Sequence, residues 1–166
     1  MEKLLNELVK RMQEAYGDDL VSVVLYGSAA SGDFHEKFSD LNVLCVLRVV
    51  GVPDLRKGEK AVEWWVKQKN PAPRILSVEE AVNSHDAFPI EFLDMKQNHR
   101  LLFGKDLVSG IEVSTRQHRQ QVEHELRMGL LRLRSRYLTV QQNEKEVVDL
   151  MARSIASFAT LARHAL

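Results

Sequence analysis

The chain lacks several features that mark common classes of protein. Cys45 is the single cysteine among 166 residues, which excludes a disulfide within the chain. It stands in an apolar run, so we expect a small core residue there. No apolar run approaches the length of a membrane span, and residues 1–16 resemble an amphipathic helix rather than a signal peptide. We therefore expect a cytoplasmic protein with no membrane segment.

The chain also lacks net charge, with 23 Lys and Arg against 23 Asp and Glu. The balance is uneven along its length. Residues 1–113 carry 14 basic and 18 acidic side chains, a net of −4, whereas residues 114–166 carry 9 and 5, a net of +4. This imbalance favours attraction between the two parts, or different solvated faces, over a surface that recruits nucleic acid or nucleotide. We do not expect nucleic acid as a partner.

The hydrophobic pattern predicts a mixed α+β domain over residues 1–110. An amphipathic helix ends near Gly17, a second helix opens at Pro53 and ends before Asn70, and Ser77 with Glu80 forms a capping box for a third. A polar loop covers residues 31–37. Four to five strands should form a mixed, twisted sheet flanked by these helices: Leu20–Tyr26, Leu41–Val50, Arg74–Leu76, Phe88–Met95 and Leu101–Phe103.

Residues 111–166 form a separate helical region in this interpretation. Apolar residues recur at helical spacing on both sides of a polar turn near residues 141–144, which predicts an antiparallel helical hairpin. The pattern continues to Leu166 without a capping glycine, so the hairpin docks on another surface or the natural chain extends further. A homodimer formed through these helices is one such arrangement.

A phosphate-binding turn is predicted where the first strand ends, at Gly27 and Ser28. Glycine lets the backbone approach a ligand closely, and the Ser28 hydroxyl adds a hydrogen-bond donor. Asp40 and Asn42 lie two positions apart at the start of the second strand, which would place both side chains on one face. Two oxygen ligands beside a phosphate cradle suit a Mg²⁺ site.

The run from Gly27-Ser28 through about ten residues to Ser39-Asp40-x-Asn42 and two apolar residues resembles the nucleotidyltransferase superfamily, which has the DNA polymerase β-like fold. It is most similar to the small bacterial branch of minimal and aminoglycoside nucleotidyltransferases. The later stretch LDMKQNHRLLFGKDL also resembles that family, and the resemblance covers roughly residues 20–108. It implies the nucleotidyltransferase fold for this part of the chain.

The resemblance also implies roles for individual residues. Gly27, Ser28 and Ser39 would bind the nucleotide, while Asp40 and Asn42 would hold Mg²⁺ or Mn²⁺. A third carboxylate comes from a later strand in the family, and Glu91 fits best as a metal ligand or as the base for the acceptor hydroxyl. Asp94 is the competing candidate, although on a strand it would point to the opposite face.

The chain departs from the family pattern at two positions. Ser31 stands where the small bacterial members commonly have arginine, and Asn42 replaces a metal-binding carboxylate. Both departures change the charge on which two-metal chemistry depends. The leading hypothesis is transfer of a nucleoside monophosphate from NTP, with ATP expected, to a hydroxyl of a small molecule or protein. The alternative is a catalytically weak or inactive, antitoxin-like module that binds a nucleotide or a partner protein.

Overall fold

The computed structural model describes residues 1–31, 40–83 and 87–165 and has the expected mixed α+β architecture. Its sheet has four strands in the order β3-β2-β1-β4. The central strand β1 runs antiparallel to both β2 and β4, while β2 runs parallel to β3. The strands are β1 Leu20–Tyr26, β2 Asn42–Leu47, β3 Arg74–Ser77 and β4 His99–Gly104.

Helices lie between and around the strands and account for the rest of the regular structure. Their bounds are α1 Glu2–Tyr16, α2 Ser28–Ser31, α3 Val52–Lys57, α4 Glu59–Lys67, α5 Val78–Asn83, α6 Pro89–Gln97, α7 Thr115–Val140 and α8 Glu144–Ala165. The predicted first helix, first strand and C-terminal helices are confirmed. The predicted loop over residues 31–37 falls almost wholly outside the described residues.

The hydrophobic core covers one face of the two central strands. The apolar stripe of α1 is fully buried there, because Leu5, Leu8 and Met12 recur at helical spacing and meet the strand residues. Trp65 from α4 completes this layer, and its indole Nε1 donates a hydrogen bond of 2.9 Å to the carbonyl of Pro71. The core therefore fixes the sheet that carries the candidate site at one end.

Cys45 lies at the centre of this core, as predicted. It is completely buried in β2, opposite Val23 of β1. Burial penalises the thiolate and raises the pKa of Cys45 to about 12. The thiol is therefore a packing group with no reactive role under ordinary conditions.

Three element predictions were wrong in part or in full. Phe88–Met95 is not a strand, because Pro89 opens helix α6. The helix predicted from Pro53 is two helices, α3 and α4, which meet at Gly58. Strand β2 begins at Asn42 and ends at Leu47, so it is shorter at both ends than predicted.

The described chain separates into two compact units. The first comprises residues 1–87 and 91–112, and the second comprises residues 88–90 and 113–166. In the second unit α7 and α8 form an antiparallel pair, with Phe158 ring atoms lying 3.4 Å from the position that a Cβ on Gly129 would take. The His118 and His164 side chains also lie 3.2 Å apart between Nε2 and Nδ1. None of the described helices has both the length and the apolar character needed to cross a membrane.

Candidate functional site

The turn after β1 is held in a tight conformation by its own backbone. Gly27 has φ of 79°, in the left-handed region that favours glycine. Its N–H donates to the carbonyl of Asn98 at 2.9 Å, and its carbonyl accepts from Ala30 N–H at 2.9 Å. Ser28 then begins the single turn of α2. The predicted Gly-Ser turn is therefore present, and Asn98 fastens it to the chain segment before β4.

Asn42 lies directly beside this turn. It is the first residue of β2 and pairs with Tyr26, the last residue of β1. A Cβ built on Gly27 would lie 3.6 Å from Asn42 Nδ2. The structure therefore brings the Asn42 amide next to the Gly27 backbone.

Asp40 precedes β2 rather than belonging to it. The strand begins two residues later, and Asp40 is exposed. The alternation of side chains along a strand therefore does not place Asp40 on the same face as Asn42. Ser39, the third predicted nucleotide-binding residue, lies outside the described residues.

Tyr26 and Arg74 form a pair at the same end of the sheet. Arg74 opens β3 in register with Leu44 of β2, and its guanidinium carbon lies 5.9 Å from the centre of the Tyr26 ring. Burial raises the pKa of the Tyr26 hydroxyl, while the charge of Arg74 and a hydrogen bond from it act in the opposite direction. A phenol and a guanidinium thus stand on the sheet face to which Asn42 belongs.

Glu91 and Asp94 both lie on helix α6 and are half-buried. The expectation that Asp94 would point to the opposite face was wrong, because residues three apart on a helix are neighbours. Asp94 accepts the backbone N–H of Asn98 at its own carbonyl, at 3.0 Å, and Asn98 in turn contacts Gly27. Along a helix that rises about 1.5 Å per residue, Asp94 lies about 6 Å from Asn98 and Glu91 about 10 Å. The helix therefore brings Asp94 nearer to the turn than Glu91.

Two basic residues of β4 near the turn, His99 and Arg100, bind acidic side chains of the protein itself. Arg100 donates to both carboxylate oxygens of Glu2, at 3.0 and 3.2 Å. His99 Nε2 lies 3.4 Å from Asp106 Oδ2 and 3.3 Å from Ser109 Oγ. These contacts, with two backbone N–H groups on Oδ1, lower the pKa of Asp106 to about 2, the Ser109 hydrogen bonds being the largest cause. His99 and Arg100 are thus held by structural contacts.

The donor set near the turn suits one divalent cation and does not resemble a full carboxylate cage. Among the residues that the structure describes, no three His, Cys, Asp or Glu side chains lie together as metal ligands. Strands β1 to β4 contain no Asp or Glu. Mg²⁺ commonly takes one or two protein oxygens and completes its shell with substrate phosphates and water. Asp40 and Asn42 are the two oxygen donors that the predicted motif offers to such a cation.

Tyr26, Arg74 and Asn98 were missed by the sequence analysis. The position of Tyr26 near the site could have been predicted, because Tyr26 immediately precedes the predicted turn. Arg74 opens a short strand, but only the parallel register of β2 and β3 shows that it reaches the same end of the sheet as Asn42. Asn98 contributes its backbone carbonyl, which no side-chain pattern reveals.

Comparison with known proteins gives a family match over more than half of the chain. The sequence profile of the nucleotidyltransferase domain matches residues 5–99. This range contains most of α1, the Gly27 turn, Asn42, β3 and α6. No curated protein matches the chain.

Solved structures with this fold are similar to the chain only at low sequence identity. Spectinomycin adenyltransferase from Enterococcus faecialis, solved with ATP and spectinomycin, is 13% identical with a TM-score of 0.55. The match covers 75% of this chain and 66% of that protein. A toxin-antitoxin structure with AMP-PNP is 12% identical with a TM-score of 0.42, covering 61% of this chain and 74% of that one. A complex of tri-AMPylated Shewanella oneidensis HEPN toxin with MNT antitoxin is 11% identical with a TM-score of 0.40, covering 89% and 95%.

Proposed function

Because the chain belongs to the nucleotidyltransferase domain family, we propose that it binds a nucleoside triphosphate, with ATP expected, and transfers the nucleoside monophosphate to a hydroxyl acceptor. The observation that carries this proposal is the position of the Asn42 side chain beside the Gly27 turn, with Nδ2 lying 3.6 Å from where a Cβ on Gly27 would be. It puts a side-chain amide, whose oxygen can bind a cation, beside a backbone able to approach phosphate closely. The acceptor is a small molecule or a protein side chain.

The residues would share the chemistry as follows. Gly27 and Ser28 hold the triphosphate through backbone and hydroxyl donors, and Ser39, the residue before Asp40 in the sequence, adds a hydroxyl. Asp40 and Asn42 hold one Mg²⁺ or Mn²⁺, which when bound neutralises phosphate charge. The acceptor oxygen forms a bond to the α-phosphorus as the bond to the bridging oxygen of the β-phosphate breaks, and pyrophosphate leaves.

A carboxylate on α6 would take the proton from the acceptor hydroxyl. Glu91 is the residue that the family resemblance implies, as base or as a third metal ligand. Asp94 lies closer along the helix to the Gly27 turn. Separate Glu91→Gln and Asp94→Asn variants assign the role, because the variant that lacks the base loses transfer and keeps nucleotide binding.

A second candidate function rests on the absence of acidic residues from the described strands. With Asn42 as an amide, Asp40 is the one carboxylate that the motif supplies, and a site with less negative charge holds metal weakly. This composition favours a catalytically weak or inactive module that binds a nucleotide or a partner protein. Such a module would keep the turn and lose the transfer step.

A thermal-shift titration with ATP, with and without Mg²⁺, tests binding. A ligand that binds the folded protein alone raises its melting temperature in proportion to the logarithm of ligand concentration over Kd. We expect ATP to stabilise the wild type more strongly when Mg²⁺ is present, and we expect Asp40→Ala to lose this Mg²⁺-dependent increase. The matched control is Asp18→Ala, an exposed acidic residue away from the turn. No shift with any nucleotide would refute both the transferase and a module that binds a nucleotide, and would leave a module that binds a partner protein.

Incubation with labelled NTP and candidate acceptors then separates the two functions. If the chain is an enzyme, the wild type transfers label and Asp40→Ala loses that transfer, because the motif then supplies no carboxylate for the metal. Wild type that binds ATP and never transfers, together with an Asn42→Asp variant that does, identifies the weak module. Transfer that survives Asp40→Ala unchanged would refute the metal assignment.

We also propose that a second copy of the chain packs on the outer face of α7 and α8. Large apolar side chains on these helices are 53% to 68% exposed and recur at helical spacing: Leu131, Leu138, Val148, Met151 and Ile155. The second half of α7 is basic, whereas the first turns of α8 carry Glu144, Glu146 and Asp149. A two-fold axis can set the basic segment of one copy against the acidic segment of the other.

A further inference from the structure

Arg74 lies across the sheet end that carries the proposed nucleotide site. The strand order is β3-β2-β1, so β2 separates Arg74 from Tyr26. The Arg74 guanidinium nevertheless reaches the Tyr26 ring, with 5.9 Å between its carbon and the ring centre. The side chain must therefore pass over β2 near its first residues.

The face that Arg74 crosses is the face to which Asn42 belongs. Residues paired directly across neighbouring strands share a face of the sheet, and residues two apart on one strand do so too. Tyr26 pairs with Asn42, and Arg74 pairs with Leu44, two residues beyond Asn42. Arg74, Asn42 and Tyr26 thus lie on one face of the sheet, at the end near Gly27.

The charge of Arg74 is not balanced by any acidic side chain that the structure describes. Within residues 1–31, 40–83 and 87–165, none of the ion pairs includes Arg74. Asn42, on the same face of the sheet, carries a neutral amide in place of a charged carboxylate. Arg74 is an exposed residue of the edge strand β3, so a ligand can reach its side chain. A planar guanidinium with paired N–H donors is well suited to phosphate oxygens.

We propose that Arg74 binds the β- and γ-phosphates of the nucleotide and supplies the positive charge that a second metal ion would bring to a site with a carboxylate at position 42. This inference rests on the proposed nucleotide binding at the Gly27 turn. It explains why an amide stands at position 42, because a carboxylate there would pair with Arg74 and cancel its charge. During transfer, Arg74 would stabilise the pyrophosphate as it leaves.

The inference predicts a form of nucleotide binding that needs no divalent cation. Isothermal titration of the full chain with ATP in excess EDTA measures it, and AMP serves as the ligand without β- and γ-phosphates. We expect the wild type to bind ATP in EDTA and Arg74→Gln to lose at least about tenfold in affinity, the scale of one charge-assisted contact. Mg²⁺ should restore part of the loss, and AMP binding should be equal in both proteins.

Two further variants complete the design. Arg74→Lys keeps the charge but not the planar pair of donors and should fall between the wild type and Arg74→Gln. Arg56→Gln removes an exposed arginine of α3 and should bind ATP as the wild type does. Unfolding midpoints measured on the same samples verify that each variant is folded.

The outcomes separate this inference from the proposed function. Wild type that binds ATP with Mg²⁺, with equal affinity in Arg74→Gln under both conditions, overturns the role of Arg74 and leaves the proposed function standing. Equal losses for ATP and AMP overturn it too, because a phosphate contact must discriminate between them. Wild type that binds no nucleotide overturns both.

Discussion

Single residues set the charge of the candidate site. The Asn42 amide lies beside the Gly27 turn, and Arg74 lies on the same face of the sheet as Asn42. The sequence alone predicted the turn at Gly27 and the place of Asn42 at the start of the next strand, because both depend on residues that are close together along the chain. It could not predict Arg74, because a strand pairing between residues thirty apart depends on tertiary packing.

Asp106 offers a test at the same scale. Its carboxylate accepts from the Ser109 hydroxyl and, at 3.0 Å each, from the N–H groups of Ser109 and Val108, and these bonds lower its pKa to about 2. A carboxyl whose pKa is lower in the folded than in the unfolded state stabilises the fold above its unfolded pKa. That contribution disappears as the pH falls through the folded pKa.

We therefore expect Asp106→Ala to cost about 1 kcal/mol of unfolding free energy at neutral pH, allowing for solvent screening of a carboxylate about one-third exposed. The difference from wild type should shrink as the pH falls from the ordinary value of 3.8 towards about 2. Urea unfolding followed by circular dichroism at several pH values measures it. Asp18→Ala is the control, and a difference that stays constant with pH would contradict the assignment.

At the scale of elements, short sequence motifs predicted where a helix begins, whereas an apolar run did not distinguish a strand from a helix. Ser77 and Glu80 form the predicted capping box, with Glu80 N–H donating to Ser77 Oγ at 3.1 Å and Ser77 N–H donating to Glu80 Oε2 at 2.7 Å. The run Phe88–Met95 alternates apolar residues in its first half and so favoured a strand. Pro89 instead begins α6, where its missing N–H costs nothing.

The capping box predicts a measurable contribution to α5. Ser77→Ala removes the acceptor for a backbone N–H and should cost about 1 kcal/mol. Glu80→Ala should cost less, and the double variant should cost less than the sum, because the two bonds support one helix start. Urea unfolding of the four proteins gives the coupling. Glu79→Ala, one residue away, should be neutral, and additive effects in the double variant would argue against a shared cap.

At the scale of the whole molecule, the chain has two compact units with opposite charge and different character. The first is built around a buried sheet, whereas the second exposes many of its large apolar side chains. The change in hydrophobic pattern predicts a separate helical region from residue 111, and the second compact unit comprises residues 88–90 and 113–166. Exposure on the outer face of the hairpin could not be predicted, because periodicity shows that a helix has an apolar stripe without showing what covers it.

The proposed second copy gives a prediction at this scale. Light scattering during size-exclusion chromatography should report a dimer for the wild type. The pair Leu138→Glu and Ile155→Glu should shift it to a monomer, because charges at these positions would be buried without partners. Val49→Glu alters an apolar residue that is 69% exposed in the first unit and should leave the dimer intact. A wild type that stays monomeric at high concentration would rule out the second copy as the occupant of this face.

The buried thiol of Cys45 provides a measure of how often the sheet opens. Cys45 is the one cysteine of the chain, it is fully buried in β2, and its pKa is about 12. A thiol reagent can therefore react at a useful rate only when the sheet opens. The labelling rate of the unmodified protein counts those openings directly. A nucleotide that binds at the Gly27 turn should lower this labelling rate, and the measurement needs no substitution in the chain.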